Sequence, residues 1–528
     1  MAFDTLIRNG TVMDGTGRLR YDADVGINGG KIEAIGHLED KGAALTLDAT
    51  GLIVAPGFID MHSHSDTSML DDPGGDSKAH QGVTTEVTGN CSQSPFPARP
   101  GRPTPMIGDP ASNVGADWTD LDGWANRLET HGISLNIVPQ LGQAALQMAT
   151  GAIEDRLATV DEMREMKRLA VESMEQGAFS LSTGLSLSPS GYMSTDEVVA
   201  LCQAVAHYDG VFYVTHARVG AGRHLSSIQE AIEIGQRAGM PVQFSHMAII
   251  DRRVYGQGPE MLALLETARE EGLDITYDVY PYTAAGAGLN QTIPIWAQAG
   301  TVDEYMARLR DPDIRSRIRA EVAAGIGGLS PLWDTWVLAS ASEANLDLVG
   351  RSVEEIAAIR EVEPAEAVLQ LAEEERGRNP TVVHNRTESD VRYFLSHPLA
   401  MIGSDGNAIS PSGVHSQKQL HPRFYGTYPR ILGRYVRDQS LMSLETAVNK
   451  MTGMPAERLR LKDRGQVKEG YVADLAIFDP NTVIDHSTFE KPHQLSEGVT
   501  HVLVGGESVV LNGKHTQARP GRVLRRGA

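Results

Sequence analysis

Hydrophobic and polar positions fall into two textures along this chain. From residue 3 to about 53, and again from about 470 onward, apolar and polar residues alternate in short stretches cut by Asn-Gly and Gly-Gly turn signals. That texture predicts hairpins. Its recurrence at both ends predicts one small β-sandwich domain built jointly from residues 1–55 and 465–528. In between, short β-branched apolar runs alternate with helical patterns, the signature of βα units. Runs at 57–61, 83–88, 135–139, 179–183, 211–215, 242–245, 273–280 and 400–404 give eight predicted strands, with helices predicted at 159–175, 195–207, 225–238 and 259–271. Eight such repeats predict an α/β chain whose core, residues 56–464, is a (β/α)8 barrel, with its chemistry at the C-terminal ends of the strands. One interval breaks the rhythm. Residues 283–399 are far more than a βα connection needs, and because they leave the presumed catalytic face after the seventh strand, residues 283–345 are predicted to form a lid. An oligomer contact is the alternative reading of that insertion.

Several predicted strands end in a metal-ligand residue type. The first gives His62 and His64, two residues apart and so on one face of an extended chain. The second is followed by Cys91 in TGNCS, the fifth ends in His216, the sixth in His246 and the eighth in Asp405. Any one of these histidines alone reads more easily as a satisfied polar residue. Together, at one edge of a barrel, they supply nitrogen, sulfur and carboxylate donors, the set zinc prefers, in numbers sufficient for two ions. Two neighbouring cations need a bridging anion. The fourth strand, SLSTGL from Ser180, carries no lysine that could be carbamylated for that task, whereas a Cys91 thiolate can serve. Cys202, inside a helical run, reads as a small buried thiol. Zinc lowers the pKa of bound water toward ~7, and a carboxylate such as Asp405 can accept a proton as the resulting hydroxide attacks a carbonyl, then pass it to a leaving nitrogen. This chemistry suits hydrolysis of an amide or a cyclic amide.

Composition narrows the partners. A formal charge of −21 and a pI near 5.3 argue against nucleic acid and against anionic membrane surfaces. No apolar run reaches the ~18 residues of a membrane span, and the N-terminal residues lack signal-peptide character, so a cytoplasmic protein acting on a small-molecule amide is expected. A homo-oligomer is left open.

The phrases APGFIDMHSHSD, GVTTEVTGNCSQSPFP, DVYPYTA, MIGSDG and HPRFYGTYPRILG, spread over nearly the whole chain, resemble the amidohydrolase superfamily and, within it, the N-acyl-D-amino-acid deacylases (D-aminoacylases). The resemblance implies a zinc held tightly by Cys91, His216 and His246, with a weaker second site formed by His62, His64 and Asp405. It also implies Asp405 as the general acid/base and a mobile lid after Tyr282. In that family a substrate carboxylate is gripped by an arginine, a tyrosine and a lysine, which implies Arg423 and Tyr282 here, but the lysine position holds Ala248. His415 and Lys418 in the loop before Arg423 read as solvated residues. The leading expectation is therefore a zinc-dependent deacylase of N-acyl-D-amino acids or a relative. The alternative is a hydrolase of a cyclic amide, hydantoin or dihydropyrimidine, or of a xenobiotic amide without a free carboxylate.

Overall fold

The computed structural model describes residues 2–105, 112 and 114–527, so Met1 and Ala528 of the predicted β domain lie outside it. The eight apolar runs become eight parallel barrel strands: Phe58–Asp60, Val83–Thr88, Asn136–Pro139 continued by Leu141–Gly142, Ser180–Gly184, Phe212–His216, Val242–Phe244, Ile275–Val279 and Ala400–Ile402. The ring closes where Met61 N donates to Ile402 O (3.1 Å) and Ser63 bridges in parallel to Gly406. Helices flank these strands because the intervening segments are amphipathic and well capped. Thr159 and Glu162 form a capping box at the start of Val160–Glu175, and Ser194 and Glu197 do the same for Thr195–Val205, each worth about 1 kcal/mol. Their apolar faces, carrying residues such as Leu169, Leu201 and Ile234, pack on the barrel in one extended core.

Strands from both termini form one nine-stranded sheet, in which Ile53–Pro56 pairs with Phe3–Val12 on one side and with Leu475–Phe478 on the other. The edge strand Lys31–Gly36 comes back to Tyr471–Ala473, since Ile32 N donates to Tyr471 O (2.9 Å) and Ala473 N to Gly30 O (2.9 Å). The sheet thus folds over a core that includes Ile7, Val25, Ile32, Leu475 and Leu503. The continuous apolar stretch 52–59 forms two strands: the chain leaves this sheet at Pro56 and enters the barrel at Phe58. Gly57 makes the transfer, because a Cβ there would lie 2.2 Å from the Thr84 side chain.

Two parts of the predicted organisation need correction. The tail leaves the terminal sheet and runs against the barrel, with Gly521 N donating to Ile133 O (2.8 Å) and Leu524 N to Ile137 O (2.7 Å). The insertion after the seventh strand does not end near residue 345. Ala285–Gly288 and Trp336–Leu338 both pair antiparallel with Pro380–Val383, and the first-half residues Leu289, Met306 and Leu338 share a core with Ile356, Val368 and Leu371. Neither half could bury its apolar face alone, so residues 285–383 form one unit.

Candidate metal centre and its surroundings

All six ligand-type residues come together at the C-terminal ends of the barrel strands, five of them lining a cleft floor and His62 buried directly against them. Cys91 Sγ lies 3.4 Å from His62 Nε2 and 3.5 Å from His246 Nε2. His246 Nε2 in turn lies 2.9 Å from His216 Nδ1. Asp405 Oδ1 is 3.1 Å from His64 Nε2 and 3.6 Å from His62 Nε2. Ligand atoms of three overlapping sets, His62/His64/Cys91, Cys91/His216/His246 and His62/His246/Asp405, fall within 4.8 Å of one another. Four imidazoles, one thiol and one carboxylate converging on a buried spot form the mixed nitrogen, sulfur and oxygen set that suits zinc, and the overlap leaves room for two neighbouring ions. The donor set therefore fits such a metal.

The electrostatics of the cluster point the same way. Burial opposes ionisation of Cys91, yet the imidazoles of His62, His246 and His216 hold its thiol well below the usual range. Burial likewise opposes ionisation of Asp405, but the Arg423 guanidinium and His64 hold its carboxyl well below the usual carboxylate range. Both groups are thus poised as anions. Cys202, by contrast, sits in a helix where burial alone pushes its thiol up.

Backbone geometry is bent to aim these side chains. Cys91, His246 and Asp405 have φ of 52°, 37° and 55°, in the left-handed region that side-chain-bearing residues avoid at about 1–3 kcal/mol each. Hydrogen bonds hold them there: His246 N donates to Asp278 Oδ1 (2.8 Å) and Asp405 N to His62 O (2.7 Å). The Cys91 loop lies over the end of the fourth strand, where Ser92 N donates to Ser182 Oγ (3.2 Å) and a Cβ on Gly184 would come within 2.6 Å of Cys91 O. The space above that strand end is filled by the cysteine loop, which accounts for the lack of a lysine there.

Three features of the surroundings escape the sequence reading. Asp278, buried in the seventh strand, lies 3.1 Å from His62 Nδ1 and accepts from His246 N and from Gln243 Nε2 (3.1 Å), tying two ligand-type histidines to one carboxylate. A charged residue inside the apolar run 273–280 was its visible signal. Beneath the cluster, Lys78 Nζ donates to Asp60 Oδ2 (2.7 Å) and lies 3.7 Å from Glu86 Oε1, while Ser404 Oγ donates to Asp60 Oδ2 (2.5 Å), all fully buried. This network braces the strand ends that carry His62 and Asp405. Third, Tyr280 rather than Tyr282 faces the cleft.

The cleft has a volume of about 1250 Å³, and the insertion supplies one wall, including Ile293, Trp296 and Trp336. Arg423 lies on the floor with Nη1 2.8 Å from Asp405 Oδ2 and its Cζ 4.8 Å from the Tyr280 ring centre. Tyr282 is corrected as a cleft residue: it is buried beneath the floor, its hydroxyl donating to Pro422 O (3.4 Å) and its ring covered by Arg430. Pro281 breaks the strand alternation between the two tyrosines, so the pattern does not tell which one faces inward. Ala248 lines the cleft, whereas His415 is buried outside the lining and Lys418 also lies outside it.

Comparison with known proteins agrees with this geometry. The model of the amidohydrolase family matches residues 45–510. The chain is 34% identical to the D-aminoacylase of Alcaligenes xylosoxydans xylosoxydans, over 100% of this chain and 98% of the relative, and 34% identical to the N-acyl-D-glutamate deacylase of the same organism, over 99% and 97%. The crystal structure of the N-acyl-D-glutamate deacylase of Bordetella bronchiseptica, complexed with zinc and a phosphonate inhibitor, superposes with a TM-score of 0.84 at 30% identity, covering 99% of this chain and 100% of that one. Barrel, site and sequence lead to one conclusion: this chain belongs to the amidohydrolase family.

Proposed function

We propose that this protein is a zinc-dependent deacylase of N-acyl-D-amino acids or a related N-acyl compound, cleaving a linear amide bond in the cleft. The observation that carries the reading is the convergence of His62, His64, Cys91, His216, His246 and Asp405 on one buried spot beside Arg423. Cys91, His216 and His246 would hold the tighter zinc, and His62, His64 and Asp405 a weaker second one. When bound, zinc polarises the amide carbonyl and makes water acidic enough to ionise near neutral pH. Asp405, held ionised, takes the proton of the attacking water and delivers it to the leaving nitrogen. Arg423 and Tyr280 position the substrate's acid group, and the 285–383 insertion acts as the lid.

The D-aminoacylase and deacylase relatives support both the linear amide and the D configuration. The cyclic-amide alternative has weaker support, since the match to the dihydroorotase of Bacillus pumilus is 26% identical over only 52% of this chain and the dihydropyrimidinase of Brevibacillus agri NCHU1002 superposes at 17% identity. Among the described residues no helix is long and apolar enough to cross a membrane. With a formal charge of −21, the reading places a small-molecule hydrolase in the cytoplasm without a nucleic-acid or membrane partner. Asp405→Asn tests the mechanism: the variant should keep zinc on Cys91, His216 and His246 while turnover falls by at least ~100-fold. Near-normal turnover would remove Asp405 from the reaction.

A further inference from the structure

Beside Arg423 the cleft lining holds a guanidinium without a task in this mechanism. Arg386 follows Pro380–Val383, the central strand of the insertion's sheet, and its side chain lines the same cleft as the ligand cluster. Its Cζ stands 4.3 Å from the centre of the Tyr280 ring, the same ring that Arg423 approaches at 4.8 Å. One phenol therefore serves as platform for two cations. The Nε donors of both arginines are buried and lack a hydrogen-bond acceptor. Arg423 has a carboxylate beside it in Asp405, whereas among the described residues Arg386 makes no ion pair. Burial pushes the Arg386 guanidinium down from its usual value; Tyr280 and Asp405 oppose that effect and the neighbouring Arg423 adds to it. Two like charges with unused donors at the wall of a partly enclosed cleft call for an anion to offset them.

The position two residues after His246 carries only the methyl of Ala248, so it contributes no cation beside the ligand cluster. Arg218, Arg223, Arg252 and Arg378 also line the cleft, but Arg386 is the one that shares the Tyr280 ring with Arg423. We propose that Arg386 is a substrate-binding residue that, together with Arg423, grips the α-carboxylate of the substrate. This rests on the deacylase reading for the identity of the substrate. It goes further in assigning half of the carboxylate clamp to Arg386, three residues past the last strand of the insertion, so that the segment returning from the lid to the barrel recognises the acid. A guanidinium offers a flat two-donor edge where an ammonium offers a point charge, which suits a planar carboxylate.

The test compares wild type, Arg386→Met and Arg386→Lys, all zinc-loaded and checked for equal metal content and melting temperature. Two readouts separate the clamp from the reaction. The first is kcat/KM on N-acetyl-D-leucine and on its carboxamide, which has the same scissile bond but no acid. The second is the Kd of hexanoate, a carboxylate with no amide to cut, measured by ligand-observed NMR. Arg386→Met should lose about 10- to 100-fold on the acid, chiefly through KM, and weaken hexanoate by a similar factor. Turnover of the carboxamide should stay within twofold, and Arg386→Lys should recover part of the loss. Equal losses on acid and carboxamide, or hexanoate affinity unchanged by Arg386→Met or undetectable in wild type, would overturn the assignment. If wild type cleaves neither amide, the deacylase reading fails, while the hexanoate measurement still decides the clamp.

Discussion

Arg423 Nη1 lies 2.8 Å from Asp405 Oδ2, while the other carboxylate oxygen faces His64 at 3.1 Å. The carboxylate is thus shared between the Arg423 guanidinium and the candidate metal centre. Although burial favours its neutral form, Arg423 holds Asp405 well below the usual carboxylate range. On the proposed mechanism it would enter the reaction ionised, as a base, and become an acid only after taking a proton.

This relationship predicts a pH effect with a definite sign. Arg423→Met removes the main group lowering the Asp405 pKa, so the carboxyl rises and protonates at higher pH. The acid limb of kcat/KM, which reports the free enzyme, should then move to higher pH. A limb that stays in place would mean that Asp405 does not set it.

Cys91 is the one sulfur in the cluster and touches both histidine pairs. Cys91→Ala should strip the tighter metal and abolish activity, as read by metal analysis and turnover of the purified variant. Retention of both by a folded Cys91→Ala would refute its role as ligand.

The two tyrosines of the YPY segment should respond differently. Tyr282 donates one long hydrogen bond to a backbone carbonyl beneath the floor, so Tyr282→Phe should leave kcat/KM within about twofold. Tyr280→Leu removes the ring on which Arg386 and Arg423 rest and should raise KM for acidic substrates by about 10-fold. The reverse ranking would restore Tyr282 as the substrate contact.

Much of this architecture is legible in the sequence because it is encoded locally. The barrel strands are short β-branched runs, and His62, His64, His216, His246 and Asp405 stand at or just past their C-terminal ends, the edge where barrel chemistry sits. What is not legible depends on distant partners. The second half of the insertion looks independent until Leu371 and Val368 are seen packing with Leu289 and Met306. Arg386 stands in a polar stretch, HNRTES, with no periodicity to single it out, and acquires meaning only against Tyr280. Gly57 splits one apolar run between two sheets because Thr84 crowds it from another strand. Asp278 was visible as a charge in an apolar run, but its hold on His62 and His246 comes from barrel closure.

The most direct measurement is release of free amine by the zinc-loaded protein from matched D and L pairs of N-acyl amino acids, with a carboxylate-free amide and a hydantoin alongside. Turnover concentrated on the D-acids is the predicted result, with Arg423 and Arg386 supplying the grip that Ala248 cannot. Turnover of only the carboxylate-free amide or the hydantoin would contradict the account, leaving the fold and the metal chemistry but a different substrate class.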